Sequence, residues 1–267
     1  MMNDADERLG VMKVKKHMAA ILASSGMLFR WLPGRFCVSA IAALAWLLAA
    51  GRGPKAGLKL LLQLNNKIYA LTGKLACDYD NGTHPKHRLM RYHDFFVDRL
   101  ARDDTVIDIG CGNGALSYDM AEKAGAAVTG IELSERNYRE AIERFSHPNV
   151  RYVRGDVLKE VPDQSFDVAV MSNVLEHLPN RIKFLKSAQE RLKSKRWLIR
   201  VPLYERDWRV PLMDELGVDY RLDSTHYIEY TQKRFAREME QAGFLIVHRE
   251  IQWGEIWVEV RPKKGAP

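Results

Sequence analysis

Residues 105–114, Thr-Val-Ile-Asp-Ile-Gly-Cys-Gly-Asn-Gly, constrain this chain more than any other stretch. Four β-prone residues surround one aspartate, a glycine-rich turn follows at once, and residues 115–124 carry a helical pattern. Strand, tight turn and helix make the first half of a βαβ unit. Glycines accept positive φ and let a ligand approach without a Cβ in the way. The unpaired N–H groups at a helix start can then meet the polar end of that ligand. Two cofactor classes use such a turn, and the neighbouring residues must choose between them.

From residue 104 onward strands and helices alternate. The pattern predicts strands at 105–109, 127–132, 150–154, 166–172 and 196–201, and helices at 115–124, 134–145, 181–193 and 231–242. Ser134 and Thr231 stand where N-caps belong, and Gly243 stands where a helix ends. Residues 244–250 and 255–260 read as two closing strands joined around Gly254, with no helix between them. The expected fold is α/β: a doubly wound, mostly parallel, seven-stranded Rossmann-like sheet with an antiparallel edge and a helical N-terminal extension.

A dinucleotide fingerprint needs GxGxxG, but here the glycines at 110, 112 and 114 read GxGxG. Asp108 also faces the cleft end of the first strand. A carboxylate repels phosphate but attracts a cationic amino-acid moiety, which points to S-adenosyl-L-methionine (SAM). Glu132 ends the second strand, where it can accept from both ribose hydroxyls, with Leu133 beside it. Asp156 can accept from the adenine amino group, with Val157 beside the ring. The fourth strand opens into Asn173 and then Glu176-His177. These are the C-terminal ends of successive strands, where open α/β sheets bind ligands.

The segments VIDIGCGNG (106–114), GIEL (130–133), GDV (155–157) and FDVAVMSNVLEHL (166–178) resemble those of class I SAM-dependent methyltransferases, over roughly residues 78–260. The tail around His226, Tyr227, Thr231 and Phe235 is similar to the small-molecule O-methyltransferase branch. The resemblance implies that Asp108, Gly110, Cys111, Gly112, Asn113 and Gly114 line the methionine end. It also implies Glu132 and Leu133 at the ribose, Asp156 and Val157 at the adenine, and Asn173 near the methionine carboxylate or sulfonium. Cys111 is expected to serve through its backbone N–H.

Methyl transfer from a sulfonium to a hydroxyl of pKa above neutral calls for a base. His177 and His226 are the two candidates, each with a structural reading beside the catalytic one. His226 lies in the insertion 202–230, read as a substrate lid and rich in aromatic residues: Tyr204, Trp208, Tyr220, Tyr227 and Tyr230. The expected activity is methylation of a small-molecule, sugar or lipid-linked acceptor, at oxygen. A protein or RNA methyltransferase, or an inactive SAM-binding module, is the alternative.

Charge separates the first 77 residues from the rest. Of a net +7, residues 8–77 hold eleven Lys/Arg and no Asp or Glu, which leaves residues 78–267 at −1. A near-neutral core gives no footing for nucleic acid. Residues 36–50 are an uncharged apolar run, shorter than the about 20 residues of a membrane span. Residues 18–29 form a second apolar patch. An amphipathic helix is expected over 55–76, with Leu58, Leu61, Leu62, Ile68 and Leu75 on its apolar face. Residues 1–77 therefore read either as a helical extension that packs or dimerises, or as an anchor on anionic lipid through residues 13–76. Cys37, Cys77 and Cys111 show no ligand or disulfide spacing, which suits the cytoplasm and the inner face of its membrane. The bridging residues 78–102 predict a turn at Asn81-Gly82 and one helix carrying Leu89, Phe96 and Leu100. No metal ligand set is expected from His84, His87 and His93, because Pro85 interrupts the helical i,i+3 geometry of the first pair and no carboxylate sits at an obvious ligand spacing.

Overall fold

The computed structural model describes residues 32–159 and 162–263. The apolar patch at 18–29 lies outside them. The chain divides into two compact units, residues 1–64 and 65–267.

In the first unit α1 (Gly34–Ala50) contains the whole uncharged apolar run 36–50. The chain turns through Gly51–Gly53 and enters α2 (Pro54–Tyr79) with proline at the first helical position, where its missing N–H costs nothing. Gly57 sits against the end of α1: an added Cβ would lie 2.4 Å from the Ala49 carbonyl oxygen. Only glycine permits that approach, and Ala49 is buried there. The rest of α1 is bare, with Phe36, Val38, Ile41, Leu44, Trp46 and Leu47 each more than half exposed.

The second unit holds the C-terminal part of α2 and the sheet. Of the predicted apolar face of α2, Leu62 is buried, whereas Ile68 and Leu75 are exposed. The single helix expected after Asn81 is two, α3 (Lys86–Met90) and α4 (Tyr92–Val97). They break at Arg91, whose φ is +49°. The break turns Tyr92, Phe95 and Phe96 into the core and leaves Leu89 exposed.

Seven strands follow: β1 (Thr105–Ile109), β2 (Ala127–Glu132), β3 (Val150–Arg154), β4 (Val168–Ser172), β5 (Arg196–Pro202), β6 (Phe244–Gln252) and β7 (Glu255–Pro262). Their spatial order is β3-β2-β1-β4-β5-β7-β6. β1 to β5 pair in parallel, and β7 pairs antiparallel with both β5 and β6. The closing hairpin thus forms the antiparallel edge, with β7 seated inside it and β6 outermost. The predicted start of β4 at 166 moves to 168. Asp167 instead accepts from the Thr105 N–H and hydroxyl at 2.9 and 2.8 Å, clamping the beginning of β1.

The connecting helices are α5 (Ala115–Ala124), α6 (Glu135–Arg144), α7 (Arg181–Leu192), α8 (Arg209–Glu215) and α9 (Gln232–Gln241). Ser134 and Thr231 cap α6 and α9 through their side chains, as their positions predict. Gly243 takes φ +87° just beyond α9. Strand alternation supplies two cores. Val106, Val128, Val168, Val170 and Leu198 face α4 and α5. Ile107, Ile109, Ala169, Met171, Trp197 and Ile199 face α7 and α9. A parallel sheet covered on both faces exposes its chemistry only at the strand ends.

Candidate functional site: the carboxyl ends of the parallel strands

The parallel register brings Asp108 opposite Gly130, and the strand ends at Ile109 and Glu132 next to one another. Asp108 is 1 % exposed and, among the described residues, accepts one hydrogen bond, from the Ser117 hydroxyl at 2.6 Å. Burial, reinforced by the neighbouring Glu132 charge, pushes its carboxyl up to about 7 despite that bond. A buried carboxylate with so little compensation would be stabilised in its charged form by a nearby cation.

Three glycines, 110, 112 and 114, take φ of +71°, +59° and +86°. Gly110 is required twice over, since an added Cβ would meet Val174 Cγ2 at 2.6 Å. The turn is tied down from β2. The N–H groups of Gly110 and Cys111 donate to the Ile131 carbonyl at 2.8 and 3.0 Å. The expectation that Cys111 offers its N–H to a ligand is therefore corrected: that donor is already used. Its buried side chain packs against Gly130, and burial pushes the thiol pKa well up, so it is no nucleophile.

Glu132 is 9 % exposed and accepts from the Gly112 N–H at 2.9 Å through one oxygen and from the Ser134 N–H at 2.8 Å through the other. Its carboxylate is thereby held in one orientation, with a lone pair left on each oxygen. Leu133 beside it is exposed. The Asn113 amide donates to Glu140 at 3.3 Å and its oxygen accepts from the Ala115 N–H at 3.4 Å, so it braces the turn against α6. Asp156 follows β3, half-buried, and accepts from the Leu158 N–H at 3.0 Å, with Val157 packed against the core.

The segment after β4 meets the glycine turn through Val174. Asn173 sits at φ +55°, its N–H donating to the Arg200 carbonyl at 2.8 Å and its side-chain amide to Glu176 at 3.0 Å. Glu176 is fully buried, and burial pushes its carboxyl up to about 7. The insertion folds back onto this segment. The Tyr227 N–H donates to the Glu176 carbonyl at 2.8 Å, and the His177 and His226 rings meet edge-on at 4.5 Å between centroids. His226 is buried and His177 half-buried. Burial, with His226 alongside, lowers the pKa of His177.

Within the insertion, Glu229 is buried and held by Arg206 and the Leu222 N–H. The Asn66 amide of α2 donates to the Asp219 carbonyl at 2.6 Å. Its aromatic residues divide by role. Tyr230 is core, packed with Phe235, and Tyr204 and Tyr220 pair edge-on, whereas Trp208 and Tyr227 are exposed.

Four residues escape sequence reasoning. Ser117 completes Asp108. Tyr152 donates to the carbonyls of Gly114 and Phe145 at 3.1 and 2.9 Å, locking the end of the turn. Arg200 at the end of β5 lies 3.6 Å over the Tyr92 ring and makes a two-point pair with Glu255 at 2.5 and 2.9 Å. Glu176 is the fourth; its place beside His177 in the LEH segment was the only available sign.

The family described as a methyltransferase domain matches residues 82–249. With the strand order and the acid-flanked glycine turn above, the chain belongs to that family, among the class I SAM-dependent methyltransferases. It is 33 % identical over 113 residues to a ubiquinone biosynthesis O-methyltransferase of Nitrosomonas europaea, covering 41 % of this chain and 47 % of that one. The namesake of Nitrosospira multiformis is 30 % identical over 145 residues, 52 % of this chain and 60 % of that one. These matches thus span about half of the relatives' length. The fold is shared with the magnesium protoporphyrin IX methyltransferase of Synechocystis, solved with bound SAH, at a TM-score of 0.51 and 18 % identity. That match covers 65 % of this chain and 83 % of the other.

Proposed function

We propose that this chain transfers a methyl group from SAM to an oxygen of a small-molecule or lipid-linked acceptor. One observation carries the reading: a buried, under-compensated Asp108 and an oriented Glu132 flank a glycine turn at adjacent strand ends. Asp108 would neutralise the ammonium of SAM through the first residues of α5, Glu132 would hold the ribose hydroxyls, and Asp156 with Val157 would flank the adenine. Gly110, Gly112 and Gly114 give the approach, and Asn113 and Asn173 border the methionine end. The bound SAH of the Synechocystis enzyme and the names of the ubiquinone relatives support a SAM donor and an oxygen acceptor.

Methyl transfer is an in-line displacement, so alignment and exclusion of water do most of the work. The insertion 202–230 is the proposed lid, fastened to Glu176 through Tyr227 and to α2 through Asp219. His177 and His226 are the side chains placed to accept or guide the acceptor's proton.

Residues 1–77 are proposed to hold the enzyme on the cytoplasmic face of a membrane. Among the described residues no helix is long and apolar enough to cross one. The bare apolar surface of α1, within residues 8–77 that carry no Asp or Glu, instead suits lying in anionic lipid.

Two experiments test the proposal. Labelled-methyl transfer from SAM is measured against a panel of mono- and vicinal diphenols, free and prenylated. Transfer to oxygen of at least one supports it; transfer only to protein or RNA overturns it. Sedimentation with anionic vesicles is compared for the full chain and a chain lacking residues 1–77. Equal sedimentation ends the anchor.

A further inference from the structure

Glu176, His177 and His226 bring one carboxylate and two imidazoles together, with one ligand-type atom from each lying within 4.8 Å of the others. The two histidines come from segments 49 positions apart, joined by the Tyr227-to-Glu176 backbone bond. One polar atom of each side chain is engaged and the other is left over. Glu176 Oε1 accepts from Asn173 at 3.0 Å, while Oε2 is buried and has no hydrogen-bond partner among the described residues. His177 Nδ1 meets the Thr225 hydroxyl at 2.8 Å, and that hydroxyl donates to Asp223 at 2.7 Å. His226 Nδ1 faces Glu229 at 3.4 Å. Both imidazoles therefore keep Nε2 free of those partners. A hydroxyl or carboxylate on the far nitrogen of each ring is the arrangement that fixes the tautomer of a metal-ligating histidine. A buried carboxylate oxygen with nothing to accept from costs free energy unless something cationic meets it.

We infer that Glu176, His177 and His226 form a divalent-cation site beside the methyl-donor end of the cleft. Two imidazoles and a carboxylate suit a borderline ion such as Zn²⁺ or Mn²⁺, and three protein ligands leave positions open for a further ligand. Bonds of about 2.1 Å require a small inward closure of the ligand atoms. The role of the ion rests on the O-methyltransferase reading. An acceptor hydroxyl at an open position would be held in line with the sulfonium and acidified. Its oxygen forms the new bond to the methyl carbon, the sulfur–carbon pair returns to sulfur, and the hydroxyl proton leaves to solvent, His177 and His226 then serving as ligands of the ion in place of a base. Vicinal hydroxyls, which can occupy two open positions, would be preferred to an isolated one.

The test uses full-length protein stripped with EDTA and titrated with MnCl₂, reading free Mn²⁺ by its electron spin resonance signal. A parallel ZnCl₂ titration is followed by calorimetry, and SAM binding is measured separately on each protein. The site predicts one equivalent of Mn²⁺ or Zn²⁺ on the wild type. It predicts at least about tenfold weaker binding in His177→Gln and in His226→Ala, with SAM affinity within threefold of wild type. Thr225→Val, which removes the hydroxyl that links His177 to Asp223 and leaves the three ligands in place, should weaken the metal about tenfold as well. Wild type that binds neither metal, or binds it equally well in both histidine variants, overturns the inference. His177 is half-exposed, so its variant remains informative should the buried His226 variant fail to fold. Metal binding without SAM binding would leave the site standing and sink the proposed function, and the reverse result would do the opposite.

Discussion

Replacing Asp108 with asparagine should stabilise the unliganded protein while weakening SAM. The carboxyl is 1 % exposed and titrates at about 7 rather than 3.8. A carboxyl pKa raised in the fold stabilises it fully below the unfolded value, and this contribution is lost as pH rises through the folded value. At pH 8 the wild type therefore carries an ionised buried group. At about 1.4 kcal/mol per unit the ceiling on its cost is about 4 kcal/mol. Asparagine keeps the shape and can still accept from Ser117, but has a buried amide of its own. Half the ceiling, about 2 kcal/mol, would raise the midpoint of the sheet-bearing unit by about 4–8 °C. At pH 4, where Asp108 is protonated in the fold, the advantage should nearly vanish. Binding should move the opposite way: loss of a charge-assisted contact to the SAM ammonium, about 1.5–3 kcal/mol, weakens SAM by about 10–150-fold. Differential scanning fluorimetry from pH 4 to 8, with and without saturating SAM, reads both effects. A lower midpoint for the variant at pH 8 without SAM, or a difference between the proteins that does not change with pH, would refute the reasoning.

Glu132→Gln keeps one acceptor oxygen for two N–H donors, so it should loosen the Gly112 turn and weaken SAM at least about tenfold by calorimetry. Unchanged affinity would remove Glu132 from the site. Gly114→Ala places a methyl 2.5 Å from the Tyr152 hydroxyl and 2.8 Å from Ala141 Cβ at a φ of +86°. It should cost about 2–4 kcal/mol in urea unfolding, and a cost below about 1 kcal/mol would contradict the packing described. Glu255→Gln leaves the Arg200 guanidinium buried without its counter-charge and should cost about 3–5 kcal/mol; a neutral effect would mean that water reaches the pair.

Legibility followed the range of the interactions. The strand ladder and the helices α5, α6, α7 and α9 were readable because hydrophobic alternation and local caps set them. Ser134 and Thr231 act within three residues of themselves. The places of Asp108, Glu132 and Asp156 at or just past strand ends were readable for the same reason, since each has its turn chemistry beside it. The break at Arg91 was not, because it is imposed by the demand of Tyr92, Phe95 and Phe96 for the core rather than by a glycine or proline. The use of the Cys111 N–H by Ile131 depends on the register between β1 and β2. The gathering of Glu176, His177 and His226 likewise depends on where the insertion lands, which no spacing rule reveals. Two of the five apolar-face residues of α2, Ile68 and Leu75, stay exposed, a fact that periodicity alone cannot supply.

The central claim is that the GxGxG turn between Asp108 and Glu132 holds a cation-bearing nucleoside rather than a dinucleotide. Calorimetric titration of the full chain with SAM and, separately, with NAD⁺ tests it most directly. One equivalent of SAM bound, with no heat from NAD⁺, is the predicted result. NAD⁺ binding in the absence of SAM binding would contradict it.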